Sequence, residues 1–258
     1  MKAIILSAGQ GRRLLPLTRR LPKCMLPVLG RQPVLEHQLR ALARVGVEHA
    51  EVLVGFGAEH VERFVAEHPV PGIAVRTRFN PLYATTDNLI TAWFATAEIR
   101  EDFLLLNGDT LFDSGVPRKL LAPGNETVRI AVDRKASYDD DDMKVVLRGD
   151  RRVSAIGKKL DRDVANGEAI GLSVFRGEGV AAVQAAFDLA VRHPEALHAW
   201  YPPVLAQLAE THPVHGVSIH GMWWTEIDSQ DDLEGARSAL ASQHTAADGV
   251  AAARSPKA

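Results

Sequence analysis

The sequence predicts an α/β fold with a doubly wound, mostly parallel, Rossmann-like sheet and an elaborated mixed α/β C-terminal half. Short apolar runs alternate with amphipathic segments from residue 2 to residue 109. The runs are nearly continuous in apolar character, which is typical of parallel strands that are buried on both faces. Repeated β-α-β units join parallel strands through right-handed crossovers, so the alternation predicts helices on both faces of one sheet.

Each element of the first half has its own signal. The run "KAIILS" is the first predicted strand, and "PVLEHQLRALARVG" is a helix with Leu35, Leu39 and Leu42 at helical spacing between a proline and a glycine. A later helix starts near Thr86 or Asp87, either of which is a suitable N-cap residue. The predicted strands are 2–7, 50–56, 73–79 and 102–109, and the predicted helices are 33–46, 59–68 and 87–99.

The second half is less regular, and some of its strands are expected to be antiparallel. The predicted strands are 127–135, 143–149, 152–160, 168–176 and 223–228, and the predicted helices are 179–191, 200–208 and 231–240. We find no repeat and no linker that divides the chain. We therefore predict a single domain over residues 1–243. The small, polar, aperiodic segment 244–258 is predicted to be a disordered tail.

Composition excludes several classes of protein. The net charge is −2, which does not suit a protein that coats a polyanion, and we expect no nucleic-acid partner. A single cysteine, Cys24, excludes an intrachain disulfide and a cysteine-based zinc site. No leader segment and no apolar run of membrane-spanning length is present, so we expect a cytoplasmic protein with no membrane partner.

A glycine loop follows the first strand, at the carboxyl edge of the predicted sheet where ligands bind in such folds. Gly9 and Gly11 allow backbone N–H groups to approach a phosphate, and the N-terminus of a following helix is expected to add its dipole. Leu14 stands where a dinucleotide-binding motif needs its third glycine, and no P-loop pattern is present. A turn that merely needs glycine is the alternative. The cations that follow favour a triphosphate: Arg12, Arg13, Arg19, Arg20 and Lys23.

The stretch "LSAGQGRRLLPLTRRLPK" resembles the signature L-x-A-G-x-G-[TS]-R-L-x-P-L-T…P-K of nucleotidyltransferases of the nucleotide-sugar pyrophosphorylase type. Arg12 departs from that signature, in which a small hydroxyl residue is usual. The resemblance implies that Arg13 and Lys23 hold the triphosphate and stabilise charge on the α-phosphate and the departing pyrophosphate. It also implies nucleotide contacts from Leu6, Ala8, Gly9, Gly11 and Arg12.

Two acidic residues complete the predicted centre. Asp109 closes the fourth strand, and Asp228 ends the late strand in "WTEID". Two carboxylates from separate strand ends suit Mg²⁺, which takes one or two carboxylates together with phosphate oxygens. For Asp228, capping of the last helix is an equally good interpretation. Both positions correspond to metal ligands of the family, and this favours a Mg²⁺ site.

Other stretches resemble the branch of the family that transfers CMP to phosphocholine and to alkylphosphonates. "FNPLYATTDNLITAW" is similar to an N-N-x-x-S element of that branch, which makes Thr86 and Asn88 nucleotide-binding candidates, while Asp87 stands where an asparagine is usual. In "DMKV" and "IGKKL" the resemblance makes Lys144 and either Lys158 or Lys159 (Lys159 being our choice) ligands of the acceptor phosphate. Candidates for the positive or hydroxylated end of the acceptor are Asp142, Glu168 and Trp224, the last as part of an aromatic box with Trp200, Tyr201 and Trp223.

The sequence therefore predicts a Mg²⁺-dependent nucleotidyltransferase that moves CMP from CTP to a small phosphorylated alcohol, phosphocholine-like or a phosphonate, and releases pyrophosphate. The alternative enzyme uses CTP, GTP or dTTP and a sugar- or cyclitol-1-phosphate. A catalytically silent nucleotide-binding regulator is disfavoured by the presence of Lys23, Asp109 and Asp228, and an NAD(P)-dependent oxidoreductase by Leu14. The expected partners are CTP or another NTP and the acceptor, with a homodimer as a candidate assembly.

Overall fold

The computed structural model describes the backbone of residues 1–253 and the side chains of residues 1–245. Its strands are β1 (Lys2–Ser7), β2 (Pro27–Leu29), β3 (Gln32–Pro33), β4 (His49–Val54), β5 (Ala74–Phe79), β6 (Phe103–Asn107), β7 (Thr110–Phe112), β8 (Val128–Asp133), β9 (Lys144–Leu147), β10 (Val153–Ile156), β11 (Gly167–Phe175), β12 (Val214–Ser218) and β13 (Trp224–Glu226). Its α-helices are α1 (Val34–Ala43), α2 (Ala58–Glu67), α3 (Asn88–Thr96), α4 (Gly115–Leu120), α5 (Glu178–Ala190), α6 (Pro202–Leu208) and α7 (Gln230–Ala253).

The central sheet has the order β10-β9-β11-β6-β1-β4-β5, and β8 and β12 extend it from β11. Strands β6, β1, β4 and β5 are parallel, as the alternation in the first half predicts. In the second half β11 runs antiparallel to β6, β8 and β9. The fold prediction is confirmed: a parallel, doubly wound half carries a mixed half on its β6 side.

The sheet separates two large clusters of buried side chains. Alternate residues of β1 point to opposite faces, so that Ile5 packs with α1, α2 and α4, whereas Ile4 packs with α3, α5 and α6. Residues 103–106 of β6 are fully buried, which explains the unbroken apolar run "FLLL". Burial on both faces fixes the position of each strand within the sheet. The carboxyl ends of β1 and β6 carry the site described below.

A third, smaller apolar cluster lies beyond the sheet and supports the glycine loop. Leu14 and Leu26 are buried there against Ile227 and against Leu233 and Leu240 of α7. The cluster joins the segment between β1 and α1 to the C-terminal part of the chain. The late strand β13 pairs with β7, so Asp228 and Asp109 are brought together by backbone pairing.

The structure corrects two expectations about helices. No α-helix follows the glycine loop directly: a 3₁₀ turn at Arg12–Leu14 and another at Lys23–Met25 come first, and α1 begins at Val34. The sequence "RRLLPLTRRLPK" contains two prolines, which interrupt helical hydrogen bonding. The expected helix dipole is therefore absent from the loop.

The last helix is longer than the sequence pattern predicts. It continues to Ala253, well past residue 240, because the alanine-rich segment after the apolar stripe has high helix propensity. Residues 244–253 of the predicted disordered tail are thus helical, and residues 254–258 lie outside the described residues. The single-domain prediction stays a prediction. Among the described residues, no helix combines the length and apolar character needed to cross a bilayer.

Candidate active site

The glycine loop is shaped by two buried residues of the signature stretch. Gly11 has φ +72°, a left-handed conformation that favours glycine, and its carbonyl oxygen accepts a hydrogen bond from Thr18 Oγ1 at 2.8 Å. Thr18 and Leu14 are fully buried. The Ala8 carbonyl oxygen accepts a hydrogen bond from the N–H of Phe56 just beyond β4. The Leu and Thr of the signature therefore hold the loop in place, and the loop backbone lines the cleft.

Lys23 lies between the two predicted metal ligands. Its Nζ is 2.9 Å from Asp109 Oδ2 and 2.6 Å from Asp228 Oδ1, and Arg13 Nη2 is 2.7 Å from Asp228 Oδ2. Burial favours a lower pKa for Lys23, but the two carboxylates outweigh it and raise the pKa. Burial favours a higher pKa for Asp228, and Lys23 and Arg13 reverse this and lower it. Lys23 and Asp228 are therefore both charged in the free protein.

The local backbone corrects the prediction for Asp109 and decides between the two interpretations of Asp228. Asp109 follows β6 in the tight turn to β7 and does not end the strand itself. The start of α7 is capped by Ser229 and Asp232: Ser229 Oγ accepts a hydrogen bond from the N–H of Asp232, whose Oδ2 accepts from the N–H groups of Ser229 and Asp228. The Asp228 carboxylate is not used as a cap, so it is available to the cleft.

A cleft of about 240 Å³ runs from these charges along the glycine loop to the start of α3. It brings together most of the predicted nucleotide and catalytic residues. These are Leu6, Ala8, Gly9, Gly11, Arg13, Lys23, Thr86, Asn88, Asp109 and Asp228. Arg12 is an exception, because its side chain is exposed and does not line the cleft.

The side chains that line the cleft include oxygen atoms of the kind that bind a divalent metal. Asp109 Oδ1 is buried and has no hydrogen-bond partner among the residues that the structure describes, which leaves an oxygen acceptor beside the Lys23 ion pairs. Two oxygen-bearing side chains fit Mg²⁺, because this ion completes its shell with water and phosphate oxygens. Within the described residues no group of three or more His, Cys, Asp or Glu side chains is arranged to hold a metal. The residues therefore fit a metal that phosphates help to hold.

A second cavity, of about 640 Å³, adjoins the first at Arg13 and Asp228. Three of its residues are predicted acceptor ligands: Asp142, Glu168 and Trp224. Lys135, which the sequence analysis missed, lies among them, with Nζ 2.8 Å from Asp142 Oδ1 and 2.5 Å from Glu168 Oε2. The cation is also 5.8 Å from the centre of the Trp224 ring.

The acidic side chains of this cavity differ in protonation. Burial, strengthened by Asp142, raises the pKa of Glu168 to about 7 against the opposing effect of Lys135. Burial favours a higher pKa for Asp142 too, but its hydrogen bond to Lys135 prevails and lowers it. For Lys135, burial favours a lower pKa, and its hydrogen bonds to Asp142 and Glu168 raise it instead. Of Asp142 and Glu168, Glu168 is thus the carboxyl group that titrates near neutral pH.

Glu226 is a further carboxyl group that sequence reasoning missed. Burial and the nearby charges of Asp109 and Asp228 raise its pKa. The signal lay in the spacing, since residues two apart in an extended strand share a face. Trp224, Glu226 and Asp228 all line the second cavity.

Two predicted acceptor contacts are not supported by the placement of the side chains. Lys144 is fully buried, and its Nζ donates a hydrogen bond to the Asp139 carbonyl oxygen at 2.6 Å, so it secures the 139–142 loop from inside. Lys159 is exposed and lines neither cavity. Lys158 Nζ lies 4.5 Å from the centre of the Trp200 ring, in a cation–π contact.

The predicted aromatic box does not form. Tyr201 is buried in the core, Trp223 packs edge-on against His37, and Trp200 lines the first cleft. Only Trp224 of these four lines the second cavity. Its Nε1 donates a hydrogen bond to Asp133 Oδ2 at 2.8 Å, which fixes the ring.

Comparisons with known proteins bear on the family of this chain. Residues 2–156 match the family described as nucleotidyl transferase. A CMP-5'-(3-aminopropyl)phosphonate synthase of Streptomyces rubellomurinus is 38% identical over 47% of this chain, which spans only 19% of that longer relative. A CTP:phosphoglutamine cytidylyltransferase of Campylobacter jejuni is 22% identical over 91% of this chain and 98% of its own length.

The fold is also shared with solved structures. One is a CTP:phosphocholine cytidylyltransferase of Streptococcus pneumoniae, with a TM-score of 0.75 and 21% sequence identity over 93% of this chain and 98% of that one. At this identity the likeness concerns the fold.

Proposed function

We propose that CTP is the nucleotide and that the acceptor is a small phosphorylated alcohol or phosphonate with a positively charged end. The premise is that the chain belongs to the nucleotidyl transferase family. Phosphocholine and aminoalkylphosphonates are examples of this class. The observation that carries the proposal is the second cavity, which shares Arg13 and Asp228 with the first cleft. Among the described residues, eight acidic side chains and two cationic ones line it. An excess of carboxylates attracts an ammonium group.

The geometry supports a division of roles. An oxygen of the acceptor's phosphate or phosphonate attacks the α-phosphorus of CTP in line; the new P–O bond forms as the bond to pyrophosphate breaks. Lys23 and Arg13 lie where they would donate hydrogen bonds to the triphosphate and stabilise charge on the leaving pyrophosphate. Asp109 and Asp228 would hold Mg²⁺, which when bound supplies charge neutralisation for both phosphate groups.

Within the second cavity, Glu168 and Asp142 would face the positive end of the acceptor, with Trp224 beside them. Lys135 now neutralises these carboxylates, and a cationic acceptor would compete with it for them. Lys158 replaces Lys144 as a candidate ligand for the acceptor phosphate. Its Nζ lies 3.7 Å from Oδ1 of Asp141, which lines the second cavity, and 4.5 Å from the centre of the Trp200 ring, which lines the first cleft. The names of the two relatives are consistent with CTP and with nitrogen-containing acceptors.

A sugar- or cyclitol-1-phosphate remains the second candidate acceptor. Carboxylates accept hydrogen bonds from hydroxyl groups as well as from ammonium groups, so the acidic lining fits a polyol too. The charge balance favours the cationic acceptor, because a neutral polyol would leave several carboxylates of the cavity without compensation.

A panel experiment tests the proposal. CTP, UTP, GTP, ATP and dTTP are each paired with phosphocholine, phosphoethanolamine, 3-aminopropylphosphonate, glucose-1-phosphate and inositol-1-phosphate in Mg²⁺, and pyrophosphate release is measured. We expect release with CTP and at least one amine-bearing acceptor. Pyrophosphate release only with a sugar- or cyclitol-phosphate would show that the acceptor belongs to that class and has no positively charged end. Release with no pair would contradict the proposed activity.

A further inference from the structure

We propose a second anion-binding site, remote from the active site, that takes a small molecule bearing a phosphate or pyrophosphate group. The site is a cavity of about 680 Å³ at the N-terminal ends of β8 and β12, within the size range of small-molecule sites. Among the described residues, four cationic side chains and two acidic ones line this basic cavity: Lys119, Arg129, Arg151, Arg152, Glu126 and Glu178. An excess of cations attracts an anion.

The basic cavity is separate from both cavities of the active site. Strands β8 and β12 are parallel, and Arg129 and His215 are paired near the N-terminal ends of the two strands. The opposite end of β8 carries Asp133, whose carboxylate accepts a hydrogen bond from Trp224 in the second cavity. Four strand positions separate Arg129 from Asp133, which corresponds to about 13 Å. None of the described residues lines both the basic cavity and either cavity of the active site.

Arg129 is a preorganised cation of the basic cavity. Only 5% of this residue is exposed, and its Nη1 donates hydrogen bonds to the carbonyl oxygens of Leu120 at 3.2 Å and Ala122 at 2.5 Å. Its Nη2 donates to Glu126 Oε2 at 2.5 Å. The backbone of Gly124 packs so closely on the guanidinium that a Cβ there would collide with Nη2. Arginine has five N–H donors, so two of them have no acceptor in the described part of the chain and are available to a ligand.

Arg151 and Arg152 come from the tight turn between β9 and β10. Arg151 has φ +66°, a left-handed conformation that favours glycine, and two backbone hydrogen bonds hold it there. Its N–H donates to the Arg148 carbonyl oxygen at 2.8 Å, and its carbonyl oxygen accepts from the N–H of Gly216 in β12 at 2.9 Å. An isolated β-bridge pairs Arg152 with His215. The turn is therefore fixed against β12, which brings both arginines to the basic cavity.

Other polar groups of the basic cavity lack a close partner. The Lys119 ammonium forms no ion pair with a described residue, and Arg151 Nη2 is 3.9 Å from Glu126 Oε1, at the outer limit of an ion pair. His215 Nδ1 is buried and has no hydrogen-bond partner among the described residues. Burial, together with the charge of Arg152, lowers the pKa of His215 against the opposing effect of Glu126. The ring is neutral near pH 7 and can donate one hydrogen bond to an anion.

The lining of the basic cavity indicates which part of the ligand is recognised. Guanidinium groups bind phosphate oxygens through paired, charge-assisted hydrogen bonds. No Phe, Tyr or Trp is among the described residues that line the cavity, so there is no aromatic surface on which a base would stack. The cavity therefore selects for the phosphate or pyrophosphate group itself.

Binding to a protein whose active site is weakened tests this assignment. Calorimetric titrations with pyrophosphate, and separately with inorganic phosphate, use the full-length Lys23→Ala chain without metal or nucleotide, in about 0.15 M KCl to screen general attraction. We expect this chain to bind pyrophosphate still, and the further change Arg151→Ala/Arg152→Ala to weaken binding at least tenfold. Both arginines are more than half exposed, so their truncation should preserve the fold.

Arg148→Ala in the same Lys23→Ala background is the matched control. Arg148 is exposed, belongs to the same turn and carries the same charge, but it lines none of the three cavities. This variant should bind pyrophosphate as the Lys23→Ala chain does. If melting temperatures show that removal of both arginines unfolds the protein, Arg152→Ala alone is compared with Arg148→Ala, and only Arg152→Ala should weaken binding.

The outcomes separate a built site from general attraction. Tighter binding of pyrophosphate than of phosphate would assign a diphosphate ligand, and equal or tighter binding of phosphate would assign a monophosphate ligand; both support the site. Loss of all binding in Lys23→Ala, or full binding after removal of both arginines, would overturn the proposal. Equal weakening by Arg148→Ala would also overturn it, because the turn would then act only through its net charge. These measurements require no turnover, so they decide this site independently of the proposed function.

Discussion

Lys23 forms ion pairs with both carboxylates of the predicted metal site. Its amino group is within 3 Å of both Asp109 and Asp228, which are 119 positions apart in the chain. Only 12% of the side chain is exposed, so its charge acts in a medium that screens poorly. A cation held in this way needs little reorganisation to stabilise a phosphate.

Replacement of this lysine is expected to affect turnover far more than binding of the acceptor. We expect Lys23→Ala to lower kcat by about 10²- to 10³-fold, in the range found when one preorganised charge-stabilising group is removed. Arg20→Ala is the control, because Arg20 is exposed and does not line the cleft, and it should leave kcat within twofold. Steady-state kinetics with the active pair from the panel provides the test. A Lys23→Ala enzyme that keeps more than a tenth of wild-type kcat would remove Lys23 from the catalytic role.

At the scale of the element, the turn between β6 and β7 is the tightest part of the site. Gly108 precedes Asp109, and its N–H donates to the Leu6 carbonyl oxygen at 2.9 Å. A Cβ at this position would lie 2.7 Å from that same oxygen and would collide with the Ser7 side chain. The turn therefore packs directly on the end of β1, which sets the position of the Asp109 carboxylate.

Gly108→Ala should consequently destabilise the fold by about 2–3 kcal/mol, through overpacking against a backbone atom that cannot move independently. The melting temperature should fall by about 5–10 °C. Gly235→Ala in α7 is the matched control: within the described part of the chain no atom lies within 4 Å of the added Cβ, and the helix should gain up to about 1 kcal/mol. Thermal unfolding of both variants is the measurement. Equal melting temperatures for Gly108→Ala and wild type would show that β1 and the turn can separate without cost.

The elements also show what the sequence could predict. Strands buried on both faces and helices with apolar stripes follow from local patterns, which is why the order of β1, α1, β4, α2, β5, α3 and β6 was predictable. The convergence of Asp109 and Asp228 was not visible in local patterns, and it came from the family resemblance. Lys144 illustrates the remaining difficulty. A lysine in a strand is normally exposed, and only the folded 139–142 loop supplies the carbonyl oxygen that lets this one be buried.

At the scale of the whole molecule, the acidic cavity makes stability depend on pH. Glu168 is 5% exposed, and its pKa in the folded protein is about 7, above its ordinary value of 4.5. Between these two values the folded state binds a proton that the unfolded state has released, so stability falls as pH rises through this window. Carboxyl groups whose pKa is lowered, such as those of Glu51 and Asp228, contribute stability that is lost as the pH falls below 4.5.

The contribution of Glu168 can be isolated with Glu168→Gln, which keeps the shape of the side chain and cannot ionise. We expect the free energy of unfolding of this variant, relative to wild type, to increase by on the order of 3 kcal/mol from pH 5 to pH 8, because only the wild-type protein must bury a carboxylate. Denaturant unfolding at pH 5, 6, 7 and 8 measures this difference. Glu62→Gln, at an exposed position of α2 outside both cavities, should show a flat difference across the same range. A difference in unfolding free energy between Glu168→Gln and wild type that did not change with pH would contradict this prediction. It would mean that Glu168 is ionised throughout this range and that the ion pair with Lys135 outweighs burial in setting its charge.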